Sequence, residues 1–206
     1  MKPLKIIAGL SIIALFSACE SDSLDLSESK NQELLNKKES LKTESADVNG
    51  CETAFAKFID ICEFDGYVFA SNSNSNPEGY PTLDLSPGRW GWAANIAPGW
   101  WQEKFELWAG AGKNDTSKGV HVGNVIVRSV SATGLLRVTY NIFPDYTMSE
   151  LHIYANDLKP TTIAPGQFGF TKVFSPGTDS FTYDFNVKDT DGDGVWVIAH
   201  AVICSN

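Results

Sequence analysis

An all-β fold, an antiparallel sandwich of the Ig-like or jelly-roll-like kind, is predicted by three observations. Leu136, Val138, Tyr140 and Ile142 alternate with Arg137, Thr139 and Asn141, and Phe181, Tyr183, Phe185 and Val187 alternate with Thr182, Asp184 and Asn186. A period of two puts one set of side chains on a buried face and the other in water. Gly/Pro pairs punctuate the chain at Pro87-Gly88, Pro98-Gly99, Pro165-Gly166 and Pro176-Gly177, with Asp193-Gly194 as a further turn signal. No long helical period appears, and short strands between such turns point to a sandwich or barrel.

The remaining elements follow in order. His121 to Val130 and Leu151 to Tyr154 read as further strands. Val195 to Cys204 is apolar on both faces, which predicts a central strand covered on both sides. Within the folded part, only Cys51 to Phe64 has a stretch compatible with a helix. If Arg89 to Trp92 is a strand, Trp90 and Trp92 share a face. The alternating Ser-Asn tract from Ser71 to Asn76 reads as a solvated loop.

This folded part begins at residue 51. All six Trp, all six Tyr and eleven of the twelve Phe lie in 51–206. Residues 20–50 have no aromatic residue and hold eight acidic side chains and four lysines. So little apolar surface cannot offset the entropy of ordering, so 19–50 is expected to be a flexible tether. As a random coil it would span roughly 30 Å. The chain of 206 residues carries a net charge of −9, and 51–206 holds 10 basic against 17 acidic residues. That balance argues against nucleic-acid binding, which needs a basic surface.

Residues 1–18 have the three parts of a signal peptide. Lys2 and Lys5 form a charged start, Ile6 to Phe16 an apolar run, and Ser17-Ala18 a small-residue cleavage site before Cys19. The apolar run is too short for a membrane-spanning helix. The stretch resembles a bacterial lipobox, with Phe16 where that motif prefers Leu. The resemblance implies that Cys19 is lipidated and becomes the mature N-terminus, anchoring the protein through acyl chains. The Glu20-Ser21-Asp22-Ser23 stretch after it resembles the surface-export signals of lipoproteins in Bacteroidetes. That implies an outer-membrane lipoprotein exposed on the cell surface, with the periplasmic face as the alternative.

A second resemblance spans roughly 51–204. It rests on Cys51-Glu52-Thr53-Ala54-Phe55-Ala56, Arg89-Trp90-Gly91-Trp92, Trp108-Ala109-Gly110-Ala111-Gly112, Glu150-Leu151-His152-Ile153-Tyr154, Ala164-Pro165-Gly166-Gln167-Phe168 and Ile198-Ala199-His200-Ala201-Val202. In that order and spacing they resemble a β-rich module found in surface and secreted proteins of marine and other bacteria. The module has no established activity, so the resemblance implies an extracellular β domain and supplies no catalytic residues.

Candidate chemistry is sparse. With Cys19 lipidated, Cys51, Cys62 and Cys204 remain, and an exported domain sits where disulfides persist. Cys51–Cys204 is expected because it ties the first and last segments of the domain, and Cys51–Cys62 is the alternative. Cys62 has no companion signature of a nucleophile. Asp189, Asp191, Asp193 and Gly194 form D-x-D-x-D-G, whose alternate carboxylates can converge on a hard cation, calcium above all. The motif is half an EF-hand loop, because its twelfth position is His200 rather than Glu, and a plain Asp/Gly turn is the reading it favours over calcium. Trp90, Trp92, Trp100 and Trp101 could stack on sugar rings if exposed, or fill the core. His152 and His200 read as core histidines, and as a zinc pair they would lack a third ligand.

The chain has no G-x-S-x-G, H-E-x-x-H or Walker loop. The function expected is a non-enzymatic, lipid-anchored binding or adhesion module, with a glycan or a surface protein as partner. The alternatives are a structural spacer or assembly subunit, and a hydrolase of the glycoside type using two carboxylates.

Overall fold

The computed structural model describes residues 50–59, 65–70, 76, 79–86 and 88–206. The signal peptide, Cys19, the tether, Cys62 and most of the Ser-Asn tract lie outside the described residues. The rest is a β protein, as the alternation predicts. Its strands are β1 (Cys51–Ala56), β2 (Asp65–Ala70), β3 (Thr82–Ser86), β4 (Trp92–Ile96), β5 (Trp100–Ala109), β6 (Val120–Val130), β7 (Leu135–Ile142), β8 (Tyr146–Asn156), β9 (Gly169–Val173), β10 (Ser180–Asn186) and β11 (Val195–Ser205).

β11 is the hinge of the architecture. One edge pairs with β8 along its length, from Trp196↔Asn156 to Ser205↔Tyr146. The other edge is shared. β4 takes Val195–Val197, and β1 takes His200–Cys204. From there the sheet forks, through β1 to β5, β6, β7 and β10, and through β4 to β2 and β3, with β9 added beyond β8. β9 and β10 do not pair, so the sheet does not close into a barrel. Its halves fold over one another, and the Tyr140 hydroxyl of β7 donates to the His200 carbonyl of β11 at 3.2 Å. Leu136, Val138, Leu151, Ile153, Val197 and Ala199 are buried in the resulting core. Nearly every residue of β11 is buried, as its two-faced apolar run predicts.

Three details depart from expectation. The stretch compatible with a helix begins instead as β1, with Ala54, Phe55 and Ala56 placed between β11 and β5, where small residues and one ring fill a central strand. The pairing is antiparallel throughout except for β2 and β3, which run parallel. Trp90 and Trp92 do not share a strand face. β4 begins only at Trp92, and Gly91 between them has φ +144, where an added Cβ would lie 2.3 Å from the Phe69 ring.

Cys51 and Cys204 form a disulfide across the β1/β11 pair, where the two residues are direct partners. The bond closes a loop of 153 residues, worth about 5 kcal/mol in the chain-entropy account.

Candidate functional site

The acidic loop lies at one end of the sandwich, and β8 and β11 put it there. Their register sets Asn156 opposite Trp196, so Asp157, one residue past β8, meets the loop that enters β11. Backbone groups shape that loop. The Asp189 carboxylate accepts the N–H groups of Gly192 at 2.7 Å and Gly194 at 3.3 Å. Asp191 accepts the N–H of Asp193 at 3.3 Å. Gly194 has φ +100, and a Cβ there would sit 2.2 Å from the Asn95 Oδ1, so only glycine fits the turn. Thr190 donates its backbone N–H to Asp157 at 3.2 Å, and its hydroxyl donates to the other carboxylate oxygen.

Asp157, Asp189, Asp191 and Asp193 each then offer an oxygen within 4.8 Å of the others. The crowding splits the acids. A hydrogen bond from the Asp193 backbone, reinforced by its side chain, holds Asp191 below the usual carboxylate range. Asp193 is pushed up by the hydrogen bond with Asp191, then by partial desolvation and by repulsion from Asp191, Asp189 and Asp157. Such a set of oxygens suits a hard divalent cation chemically. Asp157 escaped the sequence reading, because only the β8/β11 register brings it to the loop.

Asp189 also lines a small, solvent-open hollow, together with Ile96, Pro98, Leu136, Val187 and Val195. Pro98 belongs to the turn that leads into β5 at Trp100. The acidic loop and the Pro98-Gly99 turn therefore meet at one end of the fold. The side chains of Trp100 and Trp101 lie outside what the structure describes, and their backbone opens β5 opposite Val130 and Ser129.

The other two candidate tryptophans are built into the interior. Trp92 has no exposed surface, so it presents no ring face to a ligand. Trp90 is half-buried, edge-on to Phe55 at 5.1 Å and to Trp92 at 5.7 Å between ring centres. Gly91 lies between them, and Trp90 joins the Phe55–Phe69 pair through Phe55.

The more exposed aromatic row is on β10. Phe170 of β9 packs on Tyr183 at 4.1 Å and on Phe185 at 5.5 Å between ring centres, and Phe174 on Phe181 at 5.1 Å. The alternation predicts Phe181, Tyr183 and Phe185 on a buried face. They do face the core side, but β10 ends the sheet, so Phe181 and Phe185 are half-buried and Tyr183 is 40 % exposed.

His152 and His200 adjoin directly in the β8/β11 register, with Nδ1 to Nδ1 at 3.1 Å. One ring must donate and the other accept, which fixes complementary tautomers. His152 Nε2 lies 3.1 Å from Glu150 Oε1. Burial, and then the proximity of His152, push the His200 imidazole down to about 3. The two Nδ1 atoms are thus spent on each other, and both rings are buried, as the core reading expects.

Comparison with protein families, with curated proteins and with solved structures finds no match to this chain.

Proposed function

We propose that this chain is a non-enzymatic, lipid-anchored surface module that binds a glycan at the end of the sandwich carrying the acidic loop. The observation that carries the binding site is the meeting of that loop with the Pro98-Gly99 turn around one hollow. Sugar sites combine an apolar floor with polar groups that accept hydroxyl hydrogens. Leu136, Val187 and Val195 supply such a floor, and Asp189 such an acceptor. The Cys51–Cys204 disulfide supports export, since such bonds persist outside a reducing cytoplasm. The lipobox-like Cys19 and the acidic stretch after it support anchoring at the outer membrane.

The test is tryptophan fluorescence of the full chain with iodide, against a panel of polysaccharides, with calcium or a chelator. Trp92 is shielded and contributes an unquenched background. Protection of the quenchable fraction by a glycan, lost in Asp189→Asn, is the expected result. If no polysaccharide protects any tryptophan, the glycan site falls. The structural-spacer reading then stands in its place, favoured by the burial of Trp92.

A further inference from the structure

Among the described residues the sheet ends at three strands, β3, β9 and β10. A free strand edge offers unpaired N–H and C=O groups, and natural proteins blunt such edges with prolines, lysines, bulges or short length. Two of these three ends are blunted. β3 is preceded by Pro81 and broken by Asp84, whose φ of +54 interrupts the extended backbone, and its pairing with β2 is irregular. β9 is five residues long and exposes Lys172. β10 has neither device. It runs seven residues in unbroken register with β7, from Ser180↔Asn141 to Asn186↔Leu135. It contains no proline, lysine or glycine. Its one charge, Asp184, is neutralised by a two-pronged pair with Arg137, Nε to Oδ1 at 2.6 Å and the terminal nitrogen to Oδ2 at 2.7 Å.

The hydrogen bonds at its two ends show which groups of β10 point outward. Ile142 donates to the Asp179 carbonyl, and Val187 donates to the Gly134 carbonyl. Bonded pairs alternate along an antiparallel ladder. Residues 181, 183 and 185 therefore bond to β7, and Ser180, Thr182, Asp184 and Asn186 turn their backbone groups to the free edge. No strand pairs with that edge among the described residues.

We propose that this edge joins a second copy of the chain, β10 to β10, antiparallel about a twofold axis at Tyr183. An isologous pair needs a self-complementary strand, and this register provides it. Thr182 faces the partner copy's Asp184 as a bonded pair, with a hydroxyl donor beside a carboxylate. Ser180 faces Asn186, and Phe181 faces Phe185. Tyr183 faces its own copy in a non-bonded pair, where Cα atoms stand about 4.5 Å apart and side chains touch most closely. A shift of the axis to Asp184 would oppose like charges, and a shift to Thr182 would shorten the overlap. The exposed ring of Tyr183 is thus covered at the axis.

The experiment is sedimentation equilibrium of the full chain carrying Cys19→Ser, so that no acyl group drives association. A small strand-to-strand interface predicts a monomer–dimer midpoint at about 10–100 µM. Added salt should tighten it by screening the acidic domains. Thr182→Pro removes an outward N–H and no backbone bond to β7; it loses the hydroxyl contact with Thr139 at 3.0 Å, which Thr182→Val loses too, and it should weaken the dimer at least tenfold while Thr182→Val does not. Tyr183→Cys should give a disulfide-linked dimer on mild oxidation, and Ser180→Cys and the unsubstituted parent should not. A chain that stays monomeric across that range overturns the proposal. So does equal cross-linking at positions 180 and 183, or a folded Thr182→Pro that dimerises like the parent. Should Thr182→Pro fail to fold, the two cysteine variants decide alone.

Discussion

Lowering the pH should destabilise this fold through one residue, His200. Its imidazole is buried between β1 and β8, 4.7 Å from the Phe55 ring centre, and its proton affinity is pushed down to about 3. In the unfolded chain it returns to about 6.5. Below 6.5 the unfolded chain therefore holds a proton that the folded one refuses. The stability this residue permits is complete above 6.5 and is lost progressively as the pH falls from there toward 3. Each unit in that window costs up to about 1.4 kcal/mol, so at pH 5 the loss is about 2 kcal/mol relative to pH 7.5. Urea unfolding of the wild type and of His200→Gln at both pH values measures it. Gln offers a donor and an acceptor and does not titrate. The variant should start less stable at pH 7.5 and lose about 2 kcal/mol less than the wild type on acidification. The difference between the two proteins cancels the carboxylates, including Asp193, whose raised affinity acts in the opposite direction. Equal losses in wild type and variant would refute the reasoning, since His200 would then bind its proton in the fold.

Other perturbations test other parts of the structure. Replacing Cys51 and Cys204 by serine should cost about 5 kcal/mol, read by urea unfolding with and without reductant. Gly91→Ala forces a Cβ onto the Phe69 ring at a φ of +144 and should cost about 3 kcal/mol, seen as a lower melting temperature without a change in fold by circular dichroism. Tyr140→Phe removes the buried hydroxyl that bridges β7 to β11 and should cost about 1 kcal/mol in the same assay. Calcium at ten times its dissociation constant should stabilise the wild type by about 1.4 kcal/mol, and a chelator should reverse this. Asp157→Asn should weaken the response although it lies outside the D-x-D-x-D-G motif. A wild-type melting curve unmoved by calcium would leave the loop as a turn.

Much of the fold was legible in the residues. The strands now seen as β6, β7, β8, β10 and β11 follow from alternation and from the two-faced run at Val195–Cys204, because a strand's period is local. The disulfide follows from Cys51 and Cys204 bounding the domain. β1 was legible only in part. Ala54-Phe55-Ala56 suits a helix as well as a strand, and the choice was made by the edges of β5 and β11 that it joins. The candidate site was read by half. Asp189, Asp191 and Asp193 lie close in sequence and converge in space, whereas Asp157 is brought by a pairing between strands 40 residues apart, Asn156 with Trp196. The aromatics were least legible. Trp90 and Trp92 look like a ring platform until packing covers Trp92 and half-buries Trp90, and the β10 row looks buried until β10 proves to be the last strand.

The sequence by itself determined what is local: where strands run, where Gly and Pro turn them, the charge of the domain, and the export-like residues ahead of it. Tertiary structure alone decided which carboxylates meet, which tryptophans are covered, that two histidines share a hydrogen bond, and that no other described strand takes the outer edge of β10. Each of these is set by which strands pair and in what register. A register is a property of two distant segments together, and neither segment encodes it alone.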